Sequence, residues 1–346
     1  MSKLAYYDGT KLLSMKDING NTPELYIVTT NRTGGKTTYF GRLLINRFLR
    51  TGAKFALIYR FNYELSDVCD KFFTDIGHLF FPDHCMTSEL KGRGIFSVLK
   101  LDNQVCGYAI ALNSADNVKK YSHVFNEVEC MLMDEFQSET NHYCPKEIEK
   151  FLSVHTSVAR GKGKQIRYVP VYLLSNTVSL INPYYTALGI VNRLQSDTKF
   201  LKGDGFVLEQ GFVQSAAEAM LDSGFNKAFK SSQYIAYAAQ NIYLNDNNAF
   251  IEKPIGKNRY LCTLRYLGNN FSLREYADYG IIYCDDTYDN TFPTKISVTT
   301  DDHNVNYVIL RRNDLFISNM RFLFEKGCFR FKNLLCKEAV LKALSY

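Results

Sequence analysis

Between an apolar run and an amphipathic one the chain reads Thr30-Asn31-Arg32-Thr33-Gly34-Gly35-Lys36-Thr37. Glycines before a Lys-Thr pair, entered from Tyr26-Ile27-Val28-Thr29 and left through a helical pattern, build a loop suited to gripping phosphate. Backbone N–H groups of such a loop wrap a phosphate at a helix N-terminus, a lysine reaches its outer oxygens, and a threonine hydroxyl ligates Mg2+. Thr30, Asn31, Arg32, Thr33, Gly34, Gly35, Lys36, Thr37 and Thr38 are therefore the candidate nucleotide-binding residues, with Lys36 also catalytic and Thr37 a metal ligand. Thr30 departs from the pattern, which places a glycine there. An ordinary surface turn with an exposed lysine is the alternative.

A strand-to-loop-to-helix unit needs a covered sheet, and the pattern supplies one. Phe40, Leu43, Leu44 and Phe48 recur at helical spacing up to Gly52, and Lys54–Arg60 reads as a buried strand. A helix over Glu64–Ile76 follows, then a hairpin or small meander over 91–112, a strand at Val128–Met133, and a helix from Pro145 to Val158 with the proline in its first turn. Tyr168–Leu174 is another strand. Strands alternating with helices imply an α/β domain with a parallel sheet covered on both faces. From Gln214 to Gln240 the pattern is helical with a break at Gly224, and Asn245-Asp246-Asn247-Asn248 is a polar boundary. Short segments beyond it (Ala249–Ile255, Tyr260–Leu267, Phe271–Tyr276, Ile281–Cys284, Lys295–Thr299) read as an antiparallel sheet. Helices near Asp314–Glu325 and Asn333–Ala343 close the chain.

Composition excludes several classes. The 346 residues suffice for about two domains. Nine cysteines form no C-x-x-C pair and six histidines show no ligand spacing, so neither a zinc site nor a disulfide scaffold is indicated. No window approaches 18 uninterrupted apolar residues, and a soluble intracellular protein with free thiols is expected. A net charge of +6 permits a polyanionic partner without demanding one.

Asp134-Glu135, at the end of an apolar strand, is the second chemical feature. An aspartate there can hold the Mg2+ that Thr37 touches, and the glutamate can polarise a water for attack on a γ-phosphate. A solvated strand end is the plainer alternative. Ser175-Asn176 ends the next strand, where the Asn176 amide could sense the γ-phosphate or that water; a polar turn competes with this. The loop Arg160-Gly161-Lys162-Gly163-Lys164-Gln165-Ile166-Arg167 could supply an arginine finger to a neighbouring subunit, grip nucleic-acid phosphates, or be a solvated turn. Arg160 leads as the trans-acting residue, with Lys162, Lys164 and Arg167 behind it; Arg32, inside the phosphate loop, is a second candidate, with holding the loop's shape as its alternative role.

Together these elements resemble the viral DNA-packaging ATPases of small podophages, the phi-29-type encapsidation motors, themselves related to large terminases. Tyr6-Tyr7-Asp8 to Leu12-Leu13-Ser14, the loop Asn31–Thr37, Asp134-Glu135-Phe136 and Leu174-Ser175-Asn176-Thr177-Val178-Ser179 with Asn182-Pro183-Tyr184 carry the resemblance. It implies a P-loop NTPase domain of the additional-strand, catalytic-glutamate type over 1–205, a helical linker over 206–246, and an α+β RNase H-like domain over 247–346 that has lost nuclease activity. It implies ATP and Mg2+ as cofactors, Asp134 as metal ligand, Glu135 as catalytic residue and Arg160 acting in trans. Its implied partners are double-stranded DNA, the portal of a procapsid in the host cytoplasm, in some members a packaging RNA, and further copies forming a ring, expected to be a pentamer. Strain at Thr30 implies weak nucleotide affinity without neighbouring subunits. A packaging enzyme with a live nuclease, using carboxylates among Asp285, Asp286, Asp289, Asp301 and Asp302, and a phosphotransferase acting on a small acceptor are the alternative functions.

Overall fold

The computed structural model describes residues 6–191, 193–194, 198–229, 232–240, 249–310 and 314–345. The polar cluster 245–248 lies outside the described residues. The chain divides into two compact units, Met1–Leu188 with Leu194–Asn245, and Asp246–Tyr346 with Gly189–Arg193.

The first unit is built on a nine-stranded sheet. In chain order its elements are α1 (Thr10–Ser14), β1 (Leu25–Thr30), α2 (Lys36–Thr51), β2 (Lys54–Tyr59), α3 (Val68–Phe80), β3 (Met86–Lys91), β4 (Phe96–Leu101), β5 (Gln104–Ala111), α4 (Ala115–Val118), β6 (Val128–Asp134), α5 (Glu147–Ala159), β7 (Val171–Asn176), α6 (Pro183–Ala187), β8 (Phe200–Gly203), β9 (Phe206–Gln210), α7 (Gln214–Asp222), α8 (Gly224–Ala228) and α9 (Gln233–Gln240). The strand order is β3-β4-β5-β2-β6-β7-β1-β9-β8. The strands from β5 to β9 in that order run parallel, and antiparallel pairs β3·β4, β4·β5 and β8·β9 close the edges. Central strands such as β1 and β7 are buried almost throughout, as a sheet covered on both faces requires. Beside β1, α2 buries Phe40, Leu44, Ile45 and Phe48 and stops at Gly52, whose φ of 71° lets its N–H return to the Phe48 carbonyl at 2.7 Å.

Several expectations need correction. The stretch 206–246 is not a purely helical linker: β9 pairs in parallel with β1 next to the edge strand β8, and a boundary at 205 would cut the β8–β9 hairpin. Helix α3 begins at Val68, after a 3-10 turn over Asn62–Leu65. Pro145 precedes α5 instead of entering its first turn, because Lys146 (φ 55°) caps the helix.

The second unit contains β10 (Arg259–Tyr266), β11 (Asn269–Tyr276), β12 (Ile281–Asp285), β13 (Lys295–Ser297), β14 (Val308–Ile309), α10 (Leu315–Glu325), β15 (Phe329–Phe331) and α11 (Leu334–Ser345). Its sheet is mixed, not antiparallel: β10, β11 and β12 form an antiparallel meander, while β13, β14 and β15 join in parallel. The order β14-β13-β10-β11-β12-β15, with α10 and α11 contributing Met320, Cys336, Ala339 and Val340 to one core, makes an α+β unit of the RNase H-like class. Ala249–Ile255 forms no strand, only a bridge from Ile251 to Phe331.

At Gly107 on β5 the backbone of β2 comes close, since a methyl group there would lie 2.3 Å from the Phe55 carbonyl oxygen. Gly107→Ala should therefore cost about 2–3 kcal/mol of stability, read as a lowered denaturation midpoint by circular dichroism.

Candidate active site

β7 lies between β1 and β6, so the phosphate loop after β1, the carboxylates after β6 and the polar end of β7 emerge side by side. Thr30 pairs with Asn176, and Asp134 with Leu174, at one height of the sheet. Lys36 Nζ donates to Asn176 Oδ1 at 2.6 Å, and Thr37 Oγ1 donates to Asp134 Oδ2 at 2.7 Å. A cavity of about 250 Å³ opens beside them, lined by Arg32, Glu135, Gln137, Ser175 and Asn176 among others. The chain thus brings Lys36, Thr37, Asp134, Glu135 and Asn176 together, as their spacing suggests.

Burial shapes the charges here. Lys36 is 8% exposed, and its burial lowers the proton affinity of the ammonium, against which Asp134 and Glu135 pull it back up. Glu135 is open to solvent at its tip, yet the protein packed around its carboxyl pushes the proton affinity up, with Asp134 and Glu139 adding to the effect. Its backbone is left-handed, φ 56°. Asp134 Oδ1 holds the Glu135 N–H at 2.9 Å, while Arg60 Nη2 reaches the carbonyls of Glu135 at 3.4 Å and Phe136 at 2.9 Å. Arg60 is itself fixed by Glu147, which accepts its Nε at 2.9 and 3.1 Å, the Tyr184 hydroxyl at 2.9 Å and the Cys144 N–H at 2.9 Å. Sequence reasoning missed Arg60 and Glu147; an arginine ending a buried strand was the available signal.

The phosphate loop corrects the expectation for Thr30. Thr30 is an ordinary strand residue whose hydroxyl donates to the Asn31 carbonyl at 2.9 Å, and positive φ falls on Thr33 (59°) and Gly35 (89°) instead. Gly35 is the N-cap of α2, and Thr38 lies half-buried in its first turn. The side chains of Asn31 and Arg32 brace the loop, and Arg32 also lines the cavity. Asn31 exchanges two hydrogen bonds with the Val213 backbone, at 3.1 and 2.9 Å, and the Arg32 N–H donates to the Ala238 carbonyl at 3.1 Å. The Arg32 guanidinium pairs with Glu139 at 2.5 Å and packs over Tyr234 and Tyr237 of α9.

Arg160 lies elsewhere. It follows the C-terminal end of α5, exposed, about 20 Å along the helix from the end that carries Glu147. That places it at the amino edge of the sheet, out of reach of its own Glu135. Lys162 and Lys164 are exposed on the same loop, whereas Arg167 is buried and donates to the carbonyls of Val128 and Val158 at 2.9 and 2.7 Å. Arg167 is a structural clamp.

In the second unit each candidate acid except Asp301 is engaged. Buried Asp302 accepts the N–H groups of Leu267 and Gly268 at 2.8 and 2.9 Å and the Thr299 hydroxyl at 2.7 Å. Asp289 caps Thr291, and Lys332 is paired with both Asp285 and Asp286. Among the described residues no three His, Cys, Asp or Glu side chains are grouped to hold a metal.

A parallel sheet with a strand inserted between the phosphate-loop strand and the carboxylate strand is the fold of a P-loop NTPase of the additional-strand, catalytic-glutamate type. The family model described as Podovirus DNA encapsidation protein (Gp16) matches residues 1–344, and the chain belongs to that family. It is 26% identical over 339 residues to the DNA packaging protein of Bacillus phage PZA and, equally, to that of Bacillus phage phi29, covering 96% of this chain and 95% of each relative. In structure it is similar to a chain of the bacteriophage Phi-29 viral genome packaging motor assembly, with TM-score 0.70, 24% identity, and 99% and 97% of the two chains covered. A chain of the Phi-28 gp11 DNA packaging motor shares the fold at TM-score 0.61 and 16% identity, with 99% and 98% covered.

Removing Arg60 would strand the Glu147 carboxylate in the protein interior. Arg60→Ala should destabilise the first unit by about 3–5 kcal/mol, and adding Glu147→Gln should recover part of that loss by removing the unpaired charge. Urea denaturation of the single and double variants checks this.

Proposed function

We propose that this chain is an ATP hydrolase that drives double-stranded viral DNA into a procapsid. The pairing of Lys36 with Asn176 and of Thr37 with Asp134, beside a cavity that Glu135 and Asn176 line, carries this reading, and membership of the DNA encapsidation family supports its biological setting. ATP sits with its phosphates in the loop closed by Gly35, on the N-terminus of α2, and Lys36 exchanges Asn176 for the β- and γ-oxygens. Thr37 Oγ1 and the Asp134 carboxylate, already 2.7 Å apart, are hard oxygen donors of the kind Mg2+ takes. When bound there the ion supplies neutralisation of phosphate charge. Glu135 orients the attacking water and takes its proton, and the Asn176 amide, freed from Lys36, meets the γ-phosphate or that water.

The trans role of Arg160 is supported by its exposure and its distance from its own Glu135, since a copy packed edge to edge in a ring can deliver it to the neighbouring site. Such a finger contributes about 10³–10⁵ in rate. The ring would sit on the portal of the procapsid, the pentamer and any packaging RNA following the phi29-type assembly. A motor indifferent to sequence grips DNA through its phosphates. The engagement of Asp285, Asp286, Asp289 and Asp302 within the second unit supports a domain that contacts partners instead of cutting DNA.

Glu135→Gln should bind ATP and lose turnover, while Lys36→Ala should lose binding; turnover without Glu135 would overturn the assignment. Arg160→Ala subunits doped into wild-type rings should depress DNA-stimulated turnover more steeply than linear dilution, and a linear loss would remove the trans role. Because the proton affinity of Glu135 is raised, its carboxylate is lost on acidification at a pH above the ordinary value of about 4.3. The acid limb of the pH–rate profile should accordingly lie above that value.

A further inference from the structure

Gln137 occupies a place that composition alone would give to an aliphatic residue. It is 2% exposed, two residues beyond Glu135, and it lines the cavity. Its Oε1 accepts two consecutive backbone N–H groups across the adjoining loop, Val178 at 3.1 Å and Ser179 at 2.9 Å. Both partners are donors, so the oxygen must be the atom that faces them. Its amide nitrogen is buried near Tyr185 and meets no hydrogen-bond partner within normal geometry among the described residues. The acceptor end is therefore the part of this amide that the fold uses.

The loops it joins are the two that carry chemistry. β6 and β7 pair up to Asp134 and Leu174, and Phe136 N–H still reaches the Leu174 carbonyl at 3.1 Å. Beyond that point the ladder ends, with Glu135 on one chain and Asn176 on the other. The 176–179 turn is tight, the Val178 N–H also lying 3.0 Å from the Asn176 carbonyl. Gln137 closes the frame just past the ladder, so Glu135 and Asn176 sit on two arms tied at both ends.

We propose that Gln137 is a positioning residue that holds Glu135 and Asn176 at a constant separation, so that both address the same water. The inference rests on the assignment of Glu135 and Asn176 above. It gives the side chain a role in the rate of hydrolysis and none in holding nucleotide, because the loop from Thr30 to Thr37 is braced separately by Val213 and Ala238.

Gln137→Leu fills the space and removes the acceptor. DNA-stimulated kcat should fall at least tenfold while KM for ATP changes by less than threefold. Gln137→Glu keeps an acceptor for both amides and should bring kcat back to within threefold of wild type. Wild-type kcat in Gln137→Leu would overturn the proposal, as would a parallel loss of kcat and ATP affinity, which marks general loosening. Hydrogen exchange on the unmutated full chain gives an independent reading should the leucine variant not fold. The Val178 and Ser179 amides should be protected, and fast exchange at both would overturn the proposal. Glu135→Gln measured alongside separates the two ideas: if it is inactive and Gln137→Leu is unimpaired, only the strut fails, and if it turns over ATP normally, the site assignment itself fails.

Discussion

The parallel pairing of β7 with β1 on one side and β6 on the other is the constraint from which the site follows. Neighbouring strands lie about 4.8 Å apart, so three strand ends at one height bring side chains from 140 residues apart in sequence within hydrogen-bond reach, as Lys36 and Asn176 show. A slip of one residue in either pairing would turn Asn176 or Asp134 to the opposite face. Hydrogen bonds of the ladder thus set the relative heights of the phosphate loop, the Asp134 carboxylate and the polar strand end, and no loop has to find them by itself.

Placing these groups together has an electrostatic consequence. A buried ammonium, an aspartate and a glutamate of raised proton affinity lie close together; Lys36 and the two carboxylates favour each other's charges, while Asp134 and Glu135 oppose one another. The Glu135 backbone is strained into the left-handed region and held there by Arg60, whose own charge is balanced by buried Glu147. Behind the phosphate loop, the 206–240 region supplies β9, the Val213 backbone and the aromatic face of α9. Loop and helices are thereby braced together, with Glu139 joining Arg32 of the loop to Tyr237 of α9.

Features carried by short contiguous stretches were legible in advance. The Gly-Gly-Lys-Thr turn, the Asp-Glu pair after an apolar strand, the helix end at Gly52 and the helix break next to Gly224 each announce themselves through local stereochemistry. What escaped was non-local. Asn31 and Arg32 sit inside the phosphate-binding motif, yet Asn31 pairs with Val213, 182 residues away in sequence, and Arg32 with Ala238, farther still, and no periodicity signals a brace. β9 was hidden because a five-residue strand with only three apolar residues, next to helical patterns, carries no mark of which strand it joins. Arg167 and Arg160 look alike on one basic loop, and only burial separates a clamp from a free guanidinium.

From the amino-acid order alone came the chemistry on offer: a phosphate cradle, two carboxylates, a polar strand end and an exposed basic loop, because each depends on residue types at short spacing. Tertiary structure decided which of these meet, which arginine is spent on the fold, and where backbone strain is stored. Those outcomes depend on strand order and burial, which are properties of the packed chain as a whole and of no single segment.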